Sequence, residues 1–91
     1  MIKIIQANYE HDKVIQVYFS DGKYGDYDLQ SVIDKKTVLT QFLEEDYDFQ
    51  EFYLEMGALC WKNGLQLSPS HIYLKLEQQQ LLHTVTVEYV A

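Results

Sequence analysis

Three histidines are the first side chains of this sequence to weigh for metal or acid–base chemistry. They stand far apart, at His11, His71 and His83. None lies four residues from another histidine or beside the cysteine, so the ligand spacing of a zinc site is missing. His11 falls in a predicted turn and His71 in a predicted short helix, where solvated or half-buried histidines are usual. We expect neither a metal site nor a cofactor.

The single cysteine, Cys60, lies between Leu59 and Trp61 in an apolar stretch. A catalytic thiolate needs an electropositive, partly open setting and a nearby base. These apolar neighbours instead predict an inert buried thiol. One cysteine also cannot form an internal disulfide, which excludes a disulfide-framed secreted domain.

The carboxylates gather in two stretches, Asp21 to Asp28 and residues 44–48. Neither stretch fits a calcium-binding loop. Turn formation explains Asp21, helix capping explains Asp28, and solvation explains Asp26 and the second stretch. The sequence has no G-x-S-x-G, no glycine-rich phosphate loop and no C-x-x-C, so we do not expect an enzyme.

The charge is strongly acidic, with 14 Asp and Glu against 7 basic residues, all lysine, and a net charge of −7. This charge opposes phosphate backbones, and the missing arginine removes their usual bidentate reader, so direct nucleic-acid binding is not expected. Acidic surfaces favour solubility and steer basic partners. The N-terminus resembles a strand rather than a signal peptide, and no apolar run approaches the roughly 18 residues of a membrane helix. We expect a cytoplasmic protein with no membrane contact.

Ninety-one residues with 47% hydrophobic content predict one domain, residues 1–91, with one core. Two strands are predicted over residues 3–9 and 13–19, and Asp21-Gly22 predicts a type I′ hairpin turn into a return strand. The register of that hairpin stays open. A two-residue loop would place Asp26 opposite Val17, on the same face, whereas a longer loop with a bulge would bring Tyr24 and Tyr27 to different faces.

Capping residues mark the helices that should pack on this sheet. Asp28 can cap a helical turn over residues 30–33, and Thr37 can cap a helix over residues 38–44. The second helix should carry an apolar stripe of Val38, Leu39, Phe42 and Leu43. Ser68-Pro69 predicts a further helix start. From that helix Ile72, Tyr73 and Leu76 should face inward, with Tyr73 near Trp61.

Two tight turns and a tail complete the prediction. A second strand pair, residues 49–54 and 58–61, should turn near residues 55–57, and Asn63-Gly64 should make another tight turn. Residues 81–90 are rich in β-formers and predict a final strand, at a sheet edge or shared with a second copy as a homodimer. The fold class is therefore α+β, a small antiparallel sheet built from hairpins with short helices packed on it, plus a C-terminal strand.

The stretch Trp61, Gly64, Leu67, Pro69 and Tyr73 resembles the closing signature of a bacterial family, Domain of Unknown Function 2442 (DUF2442). Earlier landmarks agree: Phe19-Ser20-Asp21-Gly22, Asp28-Leu29, Phe42, Asp46 and Phe49. The resemblance covers about residues 5–76 and implies a small α+β domain with no agreed catalytic residues. Many members are encoded beside a small toxin-like protein, which implies an antitoxin or accessory role. Some members continue into a helix-turn-helix domain, for which residues 77–91 are too few.

Three functions are compatible with these observations. The first is a protein-binding module, with a basic toxin-like protein as the partner. The second is an acidic inhibitor or DNA-mimic protein of a mobile element, which needs carboxylates in rows at phosphate-like spacing. The third is a ligand-binding protein or small enzyme, which needs a pocket with convergent polar groups. The side chains to inspect for such a pocket are Tyr24, Tyr27, His71 and Trp61.

Overall fold

A computed structural model describes residues 1–85 of the chain and contains two small antiparallel sheets. The first sheet has the strand order β1-β2-β3-β7. Its strands are β1 (Ile4–His11), β2 (Val14–Phe19), β3 (Lys23–Asp28) and β7 (His83–Thr84). Tight turns join β1 to β2 and β2 to β3, because antiparallel strands that follow one another in the sequence need only short connections.

The second sheet has the order β4-β5-β6. It consists of β4 (Tyr53–Glu55), β5 (Ala58–Cys60) and β6 (Gln66–Leu67). Met56 and Gly57 both take positive φ angles, 52° and 82°, as a type I′ turn requires. The predicted turn near residues 55–57 is confirmed.

Short helices lie between and after these strands. They are α1 (Gln30–Ile33), α2 (Val38–Gln41), α3 (Asp46–Gln50) and α4 (Pro69–Gln78), with a 3₁₀ turn over Phe42–Glu44. Two small antiparallel sheets with a few short helices confirm the α+β class.

Of the predicted side-chain caps, only that of Thr37 on α2 is confirmed among the described helices. The N-cap of α1 is Leu29 and not Asp28, and Ser68, the N-cap of α4, makes no side-chain capping hydrogen bond. An oxygen of Asp28 accepts a hydrogen bond from the Gln30 N–H at 2.9 Å, and Thr37 accepts one from the Thr40 N–H at 3.1 Å. Pro69 occupies the first position of α4, where its missing N–H costs nothing. Side-chain capping therefore marks the start of α2, and proline marks the start of α4.

The core lies between the inner faces of the two sheets and the helices. On β2 the alternating Ile15, Val17 and Phe19 are buried, as their period of two predicts. Helix α4 adds Ile72 and Leu76, both fully buried as predicted, while Tyr73 is half-buried. Other core side chains come from the connecting segments and the second sheet: Leu29, Leu43, Phe49, Leu59 and Trp61.

The β2–β3 hairpin has the longer, bulged loop rather than the two-residue one. Tyr18 pairs with Tyr24, and Val17 faces Gly25. Gly22 takes a positive φ of 86°, but Asp21 does not, so the type I′ prediction is wrong. The bulge has a clear physical reason, because the two-residue register would have placed the charged Asp26 on the core face.

Helix α2 differs from its prediction in length and in the face that it buries. The α-helix ends at Gln41, and Val38 and Leu39 remain 86% and 44% exposed, so the proposed apolar stripe is wrong at these two positions. The buried residue is Thr40, whose hydroxyl oxygen lies 3.0 Å from that of Thr37. Because the capping pair satisfies its polar atoms, threonine can take the inward position.

The segment before β4 is also helical where a strand was predicted. Residues 49 and 50 end helix α3, and the Phe49 N–H donates to the Glu45 carbonyl at 2.9 Å. Strand β4 therefore begins only at Tyr53. The helical turn places the Phe49 ring in the core, whose packing overrides local strand preference.

The turn after Trp61 uses one positive φ angle, that of Gly64 at 97°. Asn63 was expected to take a second positive φ and does not. Its amide instead donates to the Leu39 carbonyl at 2.9 Å, and its carbonyl oxygen accepts from the Leu65 N–H at 3.2 Å. Asn63 thus joins this turn to helix α2.

The C-terminal strand is added at the edge of the first sheet within the same chain. His83 pairs with Tyr24 and Thr84 with Lys23, and the Val85 N–H donates to the Gly22 carbonyl at 2.9 Å. This part of the prediction is confirmed. The predicted strand residues 86–90 lie outside the described residues, and strand sharing between two copies stays a prediction.

Candidate functional site

The signature residues Asp21 and Tyr73, 52 positions apart, meet in the structure. The Tyr73 hydroxyl donates to an Asp21 oxygen at 2.7 Å, and the Tyr73 ring packs edge-on against Phe19 with centroids 5.0 Å apart. Partial burial acts to raise the pKa of Asp21, but hydrogen bonds from Tyr73 and the Lys23 N–H lower it overall. This group ties the β2–β3 hairpin to helix α4, so its role is structural.

The remaining signature residues are also used inside the fold. Trp61 is 1% exposed, and its indole N–H donates to the Phe49 carbonyl at 2.9 Å. Its aromatic neighbours are Phe49 and Phe52, at 6.2 and 6.4 Å, rather than the expected Tyr73. Gly64 forms a turn, Asp28 accepts a hydrogen bond from the first residue of α1, and Pro69 begins α4, as described above.

The four side chains considered for a ligand site do not converge. Tyr24 lies on the outer face of the first sheet, whereas Tyr27 is buried on the inner face, where desolvation raises its pKa. His71 is exposed on helix α4. Trp61 lines a separate cavity beside the second sheet. Within the described residues, the cavity that Trp61 lines includes none of the other three side chains.

The other candidate groups are isolated from one another. Cys60 is buried, its thiol lies 3.6 Å from the Ala58 carbonyl oxygen, and burial together with the charge of Glu55 raises its pKa. His11 is exposed and lies 2.9 Å from Asp12. Within residues 1–85, no group of three or more His, Cys, Asp and Glu side chains is arranged to hold a metal ion.

The outer face of the first sheet carries polar and aromatic side chains from four strands. Because Ile15, Val17 and Phe19 point inward, the alternate residues on β2 point outward, together with the residues that pair with them. The face comprises Gln6 and Asn8 on β1, Gln16 and Tyr18 on β2, Tyr24 and Asp26 on β3, and His83 on β7.

An aromatic row crosses three strands of this face. The Tyr18 and Tyr24 rings stack with centroids 5.1 Å apart and planes 19° apart. The His83 ring follows at 5.3 Å from Tyr24. Stacked rings held by paired strands lose little side-chain entropy when another surface covers them. The row is therefore a rigid, amphipathic ridge.

The next part of the face is acidic. Asp26 lies one row beyond Tyr24, opposite Gln16, and is exposed. It forms no ion pair with any residue in the described part of the chain. Its field reaches the β1–β2 turn, where the bond to Asp12 raises the pKa of His11 and the charges of Glu10 and Asp26 add to that rise. The face thus combines an aromatic ridge with unneutralised negative charge.

Sequence reasoning missed one anchoring residue, Lys13. Its ammonium group donates to the carbonyls of Leu43 and Glu44 at 2.8 and 3.1 Å, and to Asp46 at 2.9 Å. It also lies 4.9 Å from the centre of the Phe49 ring. These contacts make Lys13 a structural cation that neutralises the exposed end of the 3₁₀ turn, so it does not offset the charge of the outer face.

The architecture and this face define a small α+β domain with an open, acidic and aromatic sheet surface. The family model for Protein of unknown function (DUF2442) matches residues 4–77, which is most of the chain, and the protein belongs to that family. Comparison with curated proteins and with solved structures finds no match. No helix among the described residues is long and apolar enough to cross a membrane.

Proposed function

We propose that this protein is a protein-binding domain whose outer sheet face binds a basic segment of another protein. The observation that carries the proposal is the juxtaposition of the Tyr18–Tyr24–His83 row with the carboxylate of Asp26, which forms no ion pair with residues 1–85. Aromatic side chains supply the contact area on which protein interfaces depend, and rigid ones lose little entropy on binding.

The charge of the chain specifies the chemistry of the partner. A net charge of −7 attracts a basic protein over distance, and the field of an acidic face accelerates encounter at low salt. Once docked, lysine or arginine side chains of the partner can pair with Asp26 while apolar groups cover the ridge. An antitoxin or accessory role beside a basic toxin-like protein is one form of this function, and it is the form that the family resemblance implies.

Co-expression with the products of neighbouring genes, followed by calorimetry on the purified complex, tests the proposal. Asp26→Lys reverses a charge on the face, and Glu77→Lys makes the same charge change at an exposed site on α4. We expect Asp26→Lys to weaken binding about tenfold or more and to reduce its salt dependence, because it removes a charge pair at the interface. Glu77→Lys should change affinity little.

Two outcomes would contradict this function. The first is the absence of any complex with a neighbouring gene product, together with no rescue of growth when that product is toxic. The second is equal weakening by both charge reversals, which would indicate the diffuse charge of an acidic mimic instead of a defined face. Tyr24→Phe removes the hydroxyl but keeps the stacked ring. We expect this variant to retain binding, because the ring supplies the contact area of the ridge.

A further inference from the structure

The second sheet carries a different site, on the face turned away from the core. Its inner row, Leu54, Leu59 and Leu67, is in register and packs on or within the core. The alternate positions therefore share the other face, where Tyr53 pairs with Cys60 and Cys60 with Gln66. Glu55 lies two residues along β4 from Tyr53 and so projects to this same face.

A cavity of about 180 Å³ opens on this face. Besides the four residues of the face it is lined by the turn that follows β5, through Trp61, Gly64 and Leu65. Pockets for drug-sized molecules run from about 300 to 1,000 Å³, so this one has room for a single small group. An alanine Cβ at Gly64 would meet no atom within 4 Å, which shows that the turn is open beside it.

The lining selects positive charge. Glu55 contributes a carboxylate that forms no ion pair with any residue from 1 to 85. Burial and the charge of Glu55 raise the pKa of the Cys60 thiol. Because Cys60 lines the cavity, the field of the Glu55 carboxylate reaches the cavity wall. Tyr53 is 46% exposed and adds an aromatic ring, whose face attracts cations, whereas Trp61 lines the cavity but is only 1% exposed. A carboxylate beside aromatic rings is the arrangement that binds ammonium and guanidinium groups, and it repels phosphates and carboxylates.

We propose that this cavity binds one organic cation, a guanidinium or primary ammonium group, with Glu55 as its counter-charge and Tyr53 as its aromatic wall. The site is separate from the outer face of the first sheet and does not depend on the function proposed for that face. A free small amine and a basic side chain of a peptide both offer this group, and the probes below distinguish them.

Trp61 is the only tryptophan of the chain and lines the cavity, so its fluorescence reports on binding to the full-length protein. Methylguanidinium and methylammonium chloride should each change the emission with saturation, with a dissociation constant on the order of 1 mM for so few atoms. Urea, a neutral analogue of similar shape, and sodium chloride at equal ionic strength should not. Chemical shifts of the Trp61 indole N–H and the Gln66 amide provide a second readout in the same titration.

Glu55→Gln preserves the shape of the side chain and removes its charge, and we expect it to weaken binding of both cations at least tenfold. Glu77→Gln makes the same chemical change at an exposed site on α4 and should leave binding unchanged. Binding of N-acetyl-arginine amide as well as methylguanidinium would assign the cavity to a protein side chain, and binding of the small cations alone would assign it to free amines. No saturable response by either readout, an equal response to urea, or unchanged binding by Glu55→Gln would overturn the proposal.

Discussion

Gly25 is the position where one added methyl group should most clearly disturb the fold. It is buried opposite Val17, and a Cβ built there would lie 2.6 Å from the Leu81 carbonyl oxygen and 3.2 Å from a methyl of Leu76. Alanine normally stabilises a strand relative to glycine by roughly 0.5–1 kcal/mol. Overpacking against backbone costs about 1–3 kcal/mol. We therefore expect Gly25→Ala to destabilise the protein by about 1 kcal/mol or more in net terms.

Urea unfolding measures the global cost, and amide hydrogen exchange locates it. With a denaturant slope of about 1–3 kcal/mol per molar, the midpoint should fall by roughly 0.5 M. Because Leu81 leads into β7, its displacement should speed exchange of the Val85 N–H, which donates to Gly22. Gly64→Ala is the control. A Cβ at residue 64 meets no atom within 4 Å, but the alanine must adopt a φ of 97°. Gly64→Ala should therefore lower the stability without changing the exchange rate of the Val85 N–H.

A chain that ends at residue 80 removes the Leu81 carbonyl and supplies the decisive comparison. In the truncated protein, Gly25→Ala should lose most of its destabilising effect, because only the contact with the Leu76 methyl group remains. An unchanged penalty would refute the reasoning. The same truncation tests the predicted sharing of the C-terminal strand, since identical solubility and oligomeric state before and after truncation would argue against it.

Two further predictions concern buried and exposed hydrogen bonds. Trp61→Phe keeps an aromatic ring but leaves the Phe49 carbonyl without its indole donor, so unfolding free energy should fall by at least about 1–3 kcal/mol, and an unchanged melting temperature would contradict this. His11 should titrate by NMR above its ordinary pKa of about 6.5. Because the folded-state pKa of His11 is the raised one, its stabilising contribution is fully present below the ordinary pKa of about 6.5 and is lost as the pH rises through the higher folded-state pKa. Asp12→Asn should bring the pKa down, and an unmoved titration would show that Asp12 is not the cause.

Local signals predicted the elements that depend on local chemistry. The alternation of Ile15, Val17 and Phe19 identified the inward face of β2, and Ser68-Pro69 identified the start of α4. Thr37 identified the start of α2, because an N-cap side chain bonds to a backbone N–H only three residues further along the chain.

The features that were wrong or missed depend on residues distant in sequence. The type I′ turn predicted from Asp21-Gly22 was wrong, and the observed longer loop places Gly25 opposite Val17 and beside the Leu81 carbonyl, 56 positions away. The exposure of Val38 follows from the burial of Thr40 on the opposite side of a short helix. Lys13 reaches Asp46 across 33 residues, a pairing that no local pattern could indicate.

The same distinction explains why the sequence signature did not locate the candidate sites. Asp21, Trp61 and Tyr73 each form hydrogen bonds within the fold, so their polar atoms are already engaged and they act as scaffold. Asp26 and Glu55 carry charges that no described residue pairs. Each lies two residues along its own strand from an aromatic residue, Tyr24 in one sheet and Tyr53 in the other, so that strand formation puts the carboxylate and the ring on the same face. An exposed carboxylate beside a ring attracts cations at either site, because the ring adds its own negative face to the charge. The partner chemistry that we propose for this domain therefore rests on the sheet faces and not on the signature turns.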